Sequence, residues 1–345
     1  MKSIRNWHIR AAGPDDLNLI RELYRAVRED QRPESYDRWR LFESPYGLTP
    51  GALAVEGGRA VGFYPVWPTP LRIGREIVPG GQAMDIMTHP DFRGQGVFVA
   101  MAEVCFEVAA ARGIRLIYGF PNAASYPGHV RHSGWTHAAD ILHWFRPIRP
   151  SGHPRMPVPL GFIADAAAAL WPTGRTRDYI VAAGPVDPAR LLALAEGNQV
   201  ADLCCIERDP AWLAWRYAPA AAQGYEMIAA AKDGKTRAAA VWGMRDETWG
   251  SARDGRAHLV ELSGTDVDAR EATLAQVIVQ AQARGAWLLE TMTNAPATIR
   301  TLRRAGFVAH RSAPFIVRPL REAAFLPDPH EGRNWRIMGG DLDTF

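Results

Sequence analysis

The chain is short of cysteine, of lysine and of long apolar runs, and each shortage excludes something. Three cysteines in 345 residues, Cys105, Cys204 and Cys205, cannot build a disulfide framework, and none has the C-x-x-C spacing of a metal-ligand set. A reducing compartment is expected. No run approaches 18 uninterrupted apolar residues, and Met1 to Arg10 has no apolar core of signal-peptide length. A cytoplasmic protein that makes no membrane contact is therefore expected. Lysine occurs only at Lys2, Lys232 and Lys235, so the 40 basic residues, set against 37 acidic ones for a net charge of +3, are almost all arginine. So small a net charge is no nucleic-acid footprint. The arginine fork suits phosphate recognition, and a coding bias toward arginine explains the same excess.

What is present is an average globular composition, 47% hydrophobic and 22% charged, which excludes disorder, collagen and coiled coil. The length favours two domains. Self-comparison supports that number: Ala111-Arg112-Gly113 recurs as Ala283-Arg284-Gly285, 172 residues on, and the match runs without a gap. Leu116 meets Leu288, Asn122-Ala123 meets Asn294-Ala295, Arg131 meets Arg303, Gly134 meets Gly306, and Arg146-Pro147 meets Arg318-Pro319, ten identities over 37 positions. Upstream, the aromatic-x-x-Trp-Arg of Tyr36 to Arg40 returns at Trp212 to Arg216. Trp39, Trp212 and Trp215 belong to this repeated segment and are read as core. A period so long means duplicated domains rather than a solenoid. The expected organisation is a domain over 1–150, a proline-rich linker over 151–175, a second domain over 176–320 and a tail over 321–345.

In each half the pattern predicts a hairpin, a strand, a loop, a helix, a strand and a helix. The first half has strands at 52–56, 61–67, 84–88, 115–120 and 138–145 and a helix at 97–111. The second has strands at 228–231, 238–242, 258–262 and 287–292 and a helix at 270–283. This is an α/β protein built of two copies of one unit, each a mixed central sheet with helices on both faces. Pro65 to Pro79 is read as a loop.

The most specific segment is His89-Pro90-Asp91-Phe92-Arg93-Gly94-Gln95-Gly96-Val97-Phe98, between a predicted strand and a predicted helix. Its glycines allow close backbone approach, and free N–H groups at the helix start make an anion site. The segment resembles the pyrophosphate loop of the GNAT acetyltransferase superfamily, [RQ]-x-x-G-x-[GA]. Pro90, Phe92, Arg93 and Gly96 match, while Phe98 replaces the final small residue. Asn122 and Gly134-Trp135 extend the likeness, and Asn294 and Gly306-Phe307 carry it into the second half, so that it covers essentially the whole chain as a tandem GNAT protein. In the second copy, however, Ser263-Gly264-Thr265-Asp266-Val267-Asp268 stands where the loop should be, and its aspartates repel a pyrophosphate.

The resemblance implies acetyl-CoA as co-substrate, held by Met87 and Thr88 of the preceding strand, by Arg93, Gly94, Gln95, Gly96, Val97 and Phe98 of the loop, and by Asn122. Acetyl transfer to an amine needs a base, oxyanion donors and an acid for the departing thiolate. Asp85, the only carboxylate in the strand, is a candidate base and equally a structural aspartate. The family's usual acid, a tyrosine, is replaced by Val130, leaving Tyr126 and His129 as alternatives. His129 and His132 lack a third ligand, so no metal is expected. The acidic end, Asp341 to Phe345, is read as a frayed tail, although in similar aminoglycoside-acetylating proteins the terminal carboxylate reaches the active site. The expected function is acetyl-CoA-dependent N-acetylation of a small primary amine or amino sugar, with a small-molecule acceptor and no nucleic-acid partner. The alternatives are a non-catalytic acyl-CoA- or ligand-binding module and an aminoacyl-tRNA-dependent peptidyl transferase. The acceptor and the oligomeric state carry no readable signal.

Overall fold

Alternation along the strands decides the architecture. On the strand Gly51–Glu56, Ala52 and Ala54 pack with Val97, Met101 and Cys105, whereas Leu53 and Val55 pack on the opposite face with Ile20, Leu23 and Trp39. A strand buried on both sides by helices is the signature of a layered α/β unit. In the computed structural model, which describes residues 6–28, 32–171, 178–196, 203–217, 224–244, 255–321 and 324–342, the first half runs β1 (His8–Ala11), α1 (Leu17–Arg28), α2 (Glu34–Phe42), β2 (Gly51–Glu56), β3 (Arg59–Ile73), β4 (Glu76–Ala83), β5 (Met87–Thr88), α3 (Val97–Ala111), β6 (Leu116–Gly119), α4 (Tyr126–His132) and β7 (Thr136–Pro147). Then α5 (Val158–Ala169) leads to the second half, with β8 (Ile180–Gly184), α6 (Pro188–Glu196), β9 (Cys204–Ile206), α7 (Pro210–Arg216), β10 (Glu226–Lys232), β11 (Lys235–Met244), β12 (Arg256–Ser263), α8 (Val267–Ala283), β13 (Leu288–Met292), α9 (Pro296–Arg304) and β14 (Val308–Pro319), and finally β15 (Trp335–Arg336). No helix among the described residues is long and apolar enough to cross a membrane.

The two copies share one sheet, in the order β1-β2-β3-β4-β6-β14-β7-β13-β12-β11-β10-β8. They have exchanged their last strands: β14 of the second copy pairs with β6 of the first, while β7 of the first pairs with β13 of the second. β7 and β14 run antiparallel to each other between them. The limits 1–150 and 176–320 therefore mark sequence repeats, and each repeat is completed by a strand of the other.

Pro65 to Pro79 is not a loop. It forms most of the β3–β4 hairpin, paired from Val66↔Ala83 to Ile73↔Glu76. Val66 donates its N–H to Pro50 O, away from β4. Alternation then points the backbone nitrogens of Pro68 and Pro70 away from β4 as well, where a missing N–H costs no bond to that strand. The aromatic repeat is core: Trp39, Trp67 and Trp215 stack within 4.8–5.9 Å of one another, and Trp39 Nε1 donates to Trp215 O at 3.1 Å.

Candidate active site

Two parallel strands part in the first half. β4 pairs with β6 only from Gly80↔Leu116 to Ala83↔Gly119. Beyond Ala83 the register against β3 shifts, so that Met84, Asp85 and Ile86 stand opposite Tyr64 and Pro65 before pairing resumes at Phe63↔Met87. This is a bulge, and Asp85 takes φ +47° within it. Arg32 Nη1 lies 2.6 Å from the Asp85 carboxylate and Arg40 Nε 3.4 Å from it, and Arg32 also holds Asp37 at 2.9 Å. The bulge turns β5 away from β6 and leaves a wedge between Met84–Thr88 and Phe120–Asn122.

At the mouth of the wedge stands the glycine loop. One short turn, Pro90–Phe92, anchors it through the buried Phe92, and Gln95 Nε2 donates to Asp91 O at 2.8 Å. Arg93 to Gly96 are exposed. Gly96 caps α3 at φ +82° and Gly94 sits at φ +74°, a region L side chains enter at a cost. No side chain caps α3, so its first N–H groups and its positive dipole end face solvent.

The second copy has lost both features. In the repeat frame α8 begins two residues earlier than α3, so the end of the loop has become helix. Asp266 caps it, accepting from Ala269 N at 3.0 Å and from Tyr179 Oη at 2.9 Å. A carboxylate thus already occupies the helix end. β12 and β13 part after His258↔Glu290, and the wedge holds the chain's own C-terminal segment. Asn294, the repeat partner of Asn122, donates to Trp335 O at 3.1 Å and accepts from Ile337 N at 2.9 Å, while Thr293 Oγ1 donates to Ile337 O at 2.8 Å. Gly339 and Gly340 pass so close to β12 that a Cβ on Gly339 would lie 2.8 Å from Leu259 O. The tail is therefore structural as far as Leu342, and residues 343–345, including the terminal carboxylate, lie outside the described residues.

Residues 8–138 match the model of the acetyltransferase (GNAT) domain. They form a GNAT domain. No curated protein matches the chain in sequence. Among solved structures, a GCN5-related N-acetyltransferase from Anabaena variabilis is similar at a TM-score of 0.63 and 10% identity, over 91% of this chain and 73% of that one. A tandem GNAT protein from the clavulanic acid biosynthesis pathway is similar at 0.61 and 13%, over 92% and 100%, and Eis1 from Mycobacterium abscessus at 0.55 and 15%, over 91% and 74%. These likenesses show the fold, two GNAT-like units in tandem.

Within the GNAT domain the candidate residues fare differently. Asn122 is exposed at the end of the wedge, where its Oδ1 accepts from Ala124 N and Ser125 N at 3.0 and 2.9 Å, leaving Nδ2 free to donate. Tyr126 opens α4, and its hydroxyl meets His137 Nδ1 at 3.2 Å. Both border a cavity of about 850 Å³ that reaches into the second half. Met87 and Val97 are buried, with Thr88 half-buried beside them. Phe98 points away from the loop into an aromatic cluster, 5.6 Å from Tyr64 and 5.0 Å from His129, so its ring packs rather than binds.

His129 belongs to that cluster. It is 3% exposed, and burial lowers its imidazole to about 4, which keeps it neutral. Asp85 is also a poor base. Burial pushes its carboxyl up, but Arg32 and Arg40 outweigh that and hold it well below the ordinary carboxylate range. Both residues fit structural roles better than catalytic ones.

The sequence reading missed a polar cluster on the far wall of the cavity. Glu290 on β13 lies 3.0 Å from His143 Nε2, 3.2 Å from Arg256 and 3.6 Å from His258. Burial pushes its carboxyl up, yet the hydrogen bond from His143 and the charges around it bring it down to about 2. The signal was there to find: a glutamate inside the apolar run Leu288–Met292 requires partners.

Proposed function

We propose that the chain is an N-acetyltransferase that takes acetyl-CoA in the wedge of the first half and transfers the acetyl group to a small primary amine or amino sugar entering the 850 Å³ cavity. The observation that carries this reading is the parted pair β4 and β6 ending at an uncapped, glycine-initiated helix. That arrangement offers a slot for an extended arm and a cradle of N–H groups for its pyrophosphate. The second copy supplies an internal analogue: Asn294 grips an extended peptide in the equivalent slot, and Asn122 is placed to donate to an amide of the pantetheine arm in the same way.

Acetyl-CoA would supply an activated thioester. Along the slot, alternation from His89, whose N–H bonds Val61 O on β3, turns the Thr88 N–H away from β3 and toward the oxyanion of the tetrahedral intermediate. The Tyr126 hydroxyl gives its proton to the departing thiolate, and the proton shed by the attacking amine passes through His137, whose Nε2 lies 3.8 Å from Asp140. One proton leaves nitrogen and one reaches sulfur, so the side chains finish as they began. His143, Arg311 and Glu290 on the opposite wall orient the acceptor.

Release of CoA thiol, measured against a panel of amines and amino sugars, tests the reading. Tyr126→Phe should lower kcat by about 10² to 10⁴ with acetyl-CoA affinity unchanged. Turnover untouched by that change would remove Tyr126 from the chemistry. Acetyl-CoA binding without thiol release for any acceptor would instead favour a ligand-binding module.

A further inference from the structure

The C-terminal segment does not fill the whole of the second cleft. A cavity of about 430 Å³ remains between the end of β12, the first turns of α8 and α9, and Arg336. Five arginines line it, and two are satisfied: Arg72 pairs with Glu207 at 2.6 Å, and Arg208 pairs with Asp341 and, at 3.0 Å, with Glu261. Among the described residues, Arg270, Arg300 and Arg336 have no carboxylate partner. Arg270 is 5% exposed, and its Nε has no hydrogen-bond partner. Burial, and then the like charge of Arg300, draw its guanidinium below the ordinary value. A buried, unpaired guanidinium facing a cavity is costly unless an anion joins it. α9 adds to the field, since its N-cap, Ala295, has no side chain to cap the free N–H groups.

We propose that this cavity binds a compact phosphorylated metabolite, its phosphate held in the fork of Arg270 and flanked by Arg300 and Arg336. Three unpaired cations around one space call for a dianion rather than a single carboxylate, and the planar fork matches phosphate oxygens in pairs. The ligand must be compact because Trp335 to Leu342 block the slot an acyl-CoA arm would need. Asp266 already caps α8, so the arginine side chains rather than that helix end hold the anion. The site is separate from the acetyl-transfer cleft and does not rest on that reading.

Calorimetry on the full-length protein saturated with acetyl-CoA, titrated with inorganic phosphate and with pyrophosphate, reads the site directly. One additional site is expected, with a rise in melting temperature on binding. Arg270→Met should weaken it at least about tenfold, a loss of about 1.4 kcal/mol, and leave acetyl-CoA affinity unchanged. Arg300 is exposed, so Arg300→Ala weakens the anion without threatening the fold. The proposal is overturned if neither anion binds at millimolar concentration, if both variants bind as the wild type does, or if citrate binds where the phosphates do not.

Discussion

Asp85 shows what a single residue discloses in sequence and what it hides. A carboxylate beside a glycine loop was legible as a candidate base. Its partners Arg32 and Arg40 were not, because they come from a distant stretch of chain that only the fold brings to the bulge. With those partners Asp85 is a clasp. Asp85→Asn should cost about 3 kcal/mol of stability at neutral pH, since it removes the carboxylate that two buried arginines share. The folded carboxyl lies below its unfolded value, near ~3.9, so its contribution is complete above that pH and is lost as pH falls toward the folded value. Urea melts should therefore separate wild type and variant fully at pH 7 and show the gap narrowing as pH falls below about 4. His129 was ambiguous for a related reason: the i,i+3 spacing with His132 says nothing about Tyr64, Phe98 and Trp135, which bury it.

At the scale of elements, the order of strands and helices within each repeat could be read from alternation and from the glycine turns, and α3 spans 97–111 as its pattern predicts. The β3–β4 hairpin escaped because its prolines look like turn residues until the direction of each N–H is known. The C-terminal segment escaped because Trp335, Ile337 and Leu342, all buried, carry no period of their own and gain meaning only in the wedge of the second copy. Close packing there gives a test. A Cβ at Gly340 would stand 2.6 Å from Tyr217 Oη and 2.7 Å from Glu261 Oε1. Gly340→Ala should thus cost about 1–3 kcal/mol and lower the melting temperature by several degrees in calorimetry, with acetyl-CoA affinity unchanged.

For the molecule as a whole, the duplication was plain from the 172-residue repeat, but the exchange of β7 and β14 was invisible, since strand partners are set by tertiary contacts that neither repeat encodes alone. The exchange predicts that residues 1–150 expressed alone lack β14, expose the edge of β6 and aggregate, whereas both halves expressed together assemble into one soluble complex. The halves are nonetheless chemically unequal: one wedge lies beneath an uncapped helix, and the other is filled by the chain itself beneath a helix capped by Asp266. Titration calorimetry with acetyl-CoA tests this inequality most directly. The account predicts one site per chain, abolished by Gly96→Trp in a variant that still melts cooperatively. Two equivalent sites, or a single site that survives Gly96→Trp, would contradict it.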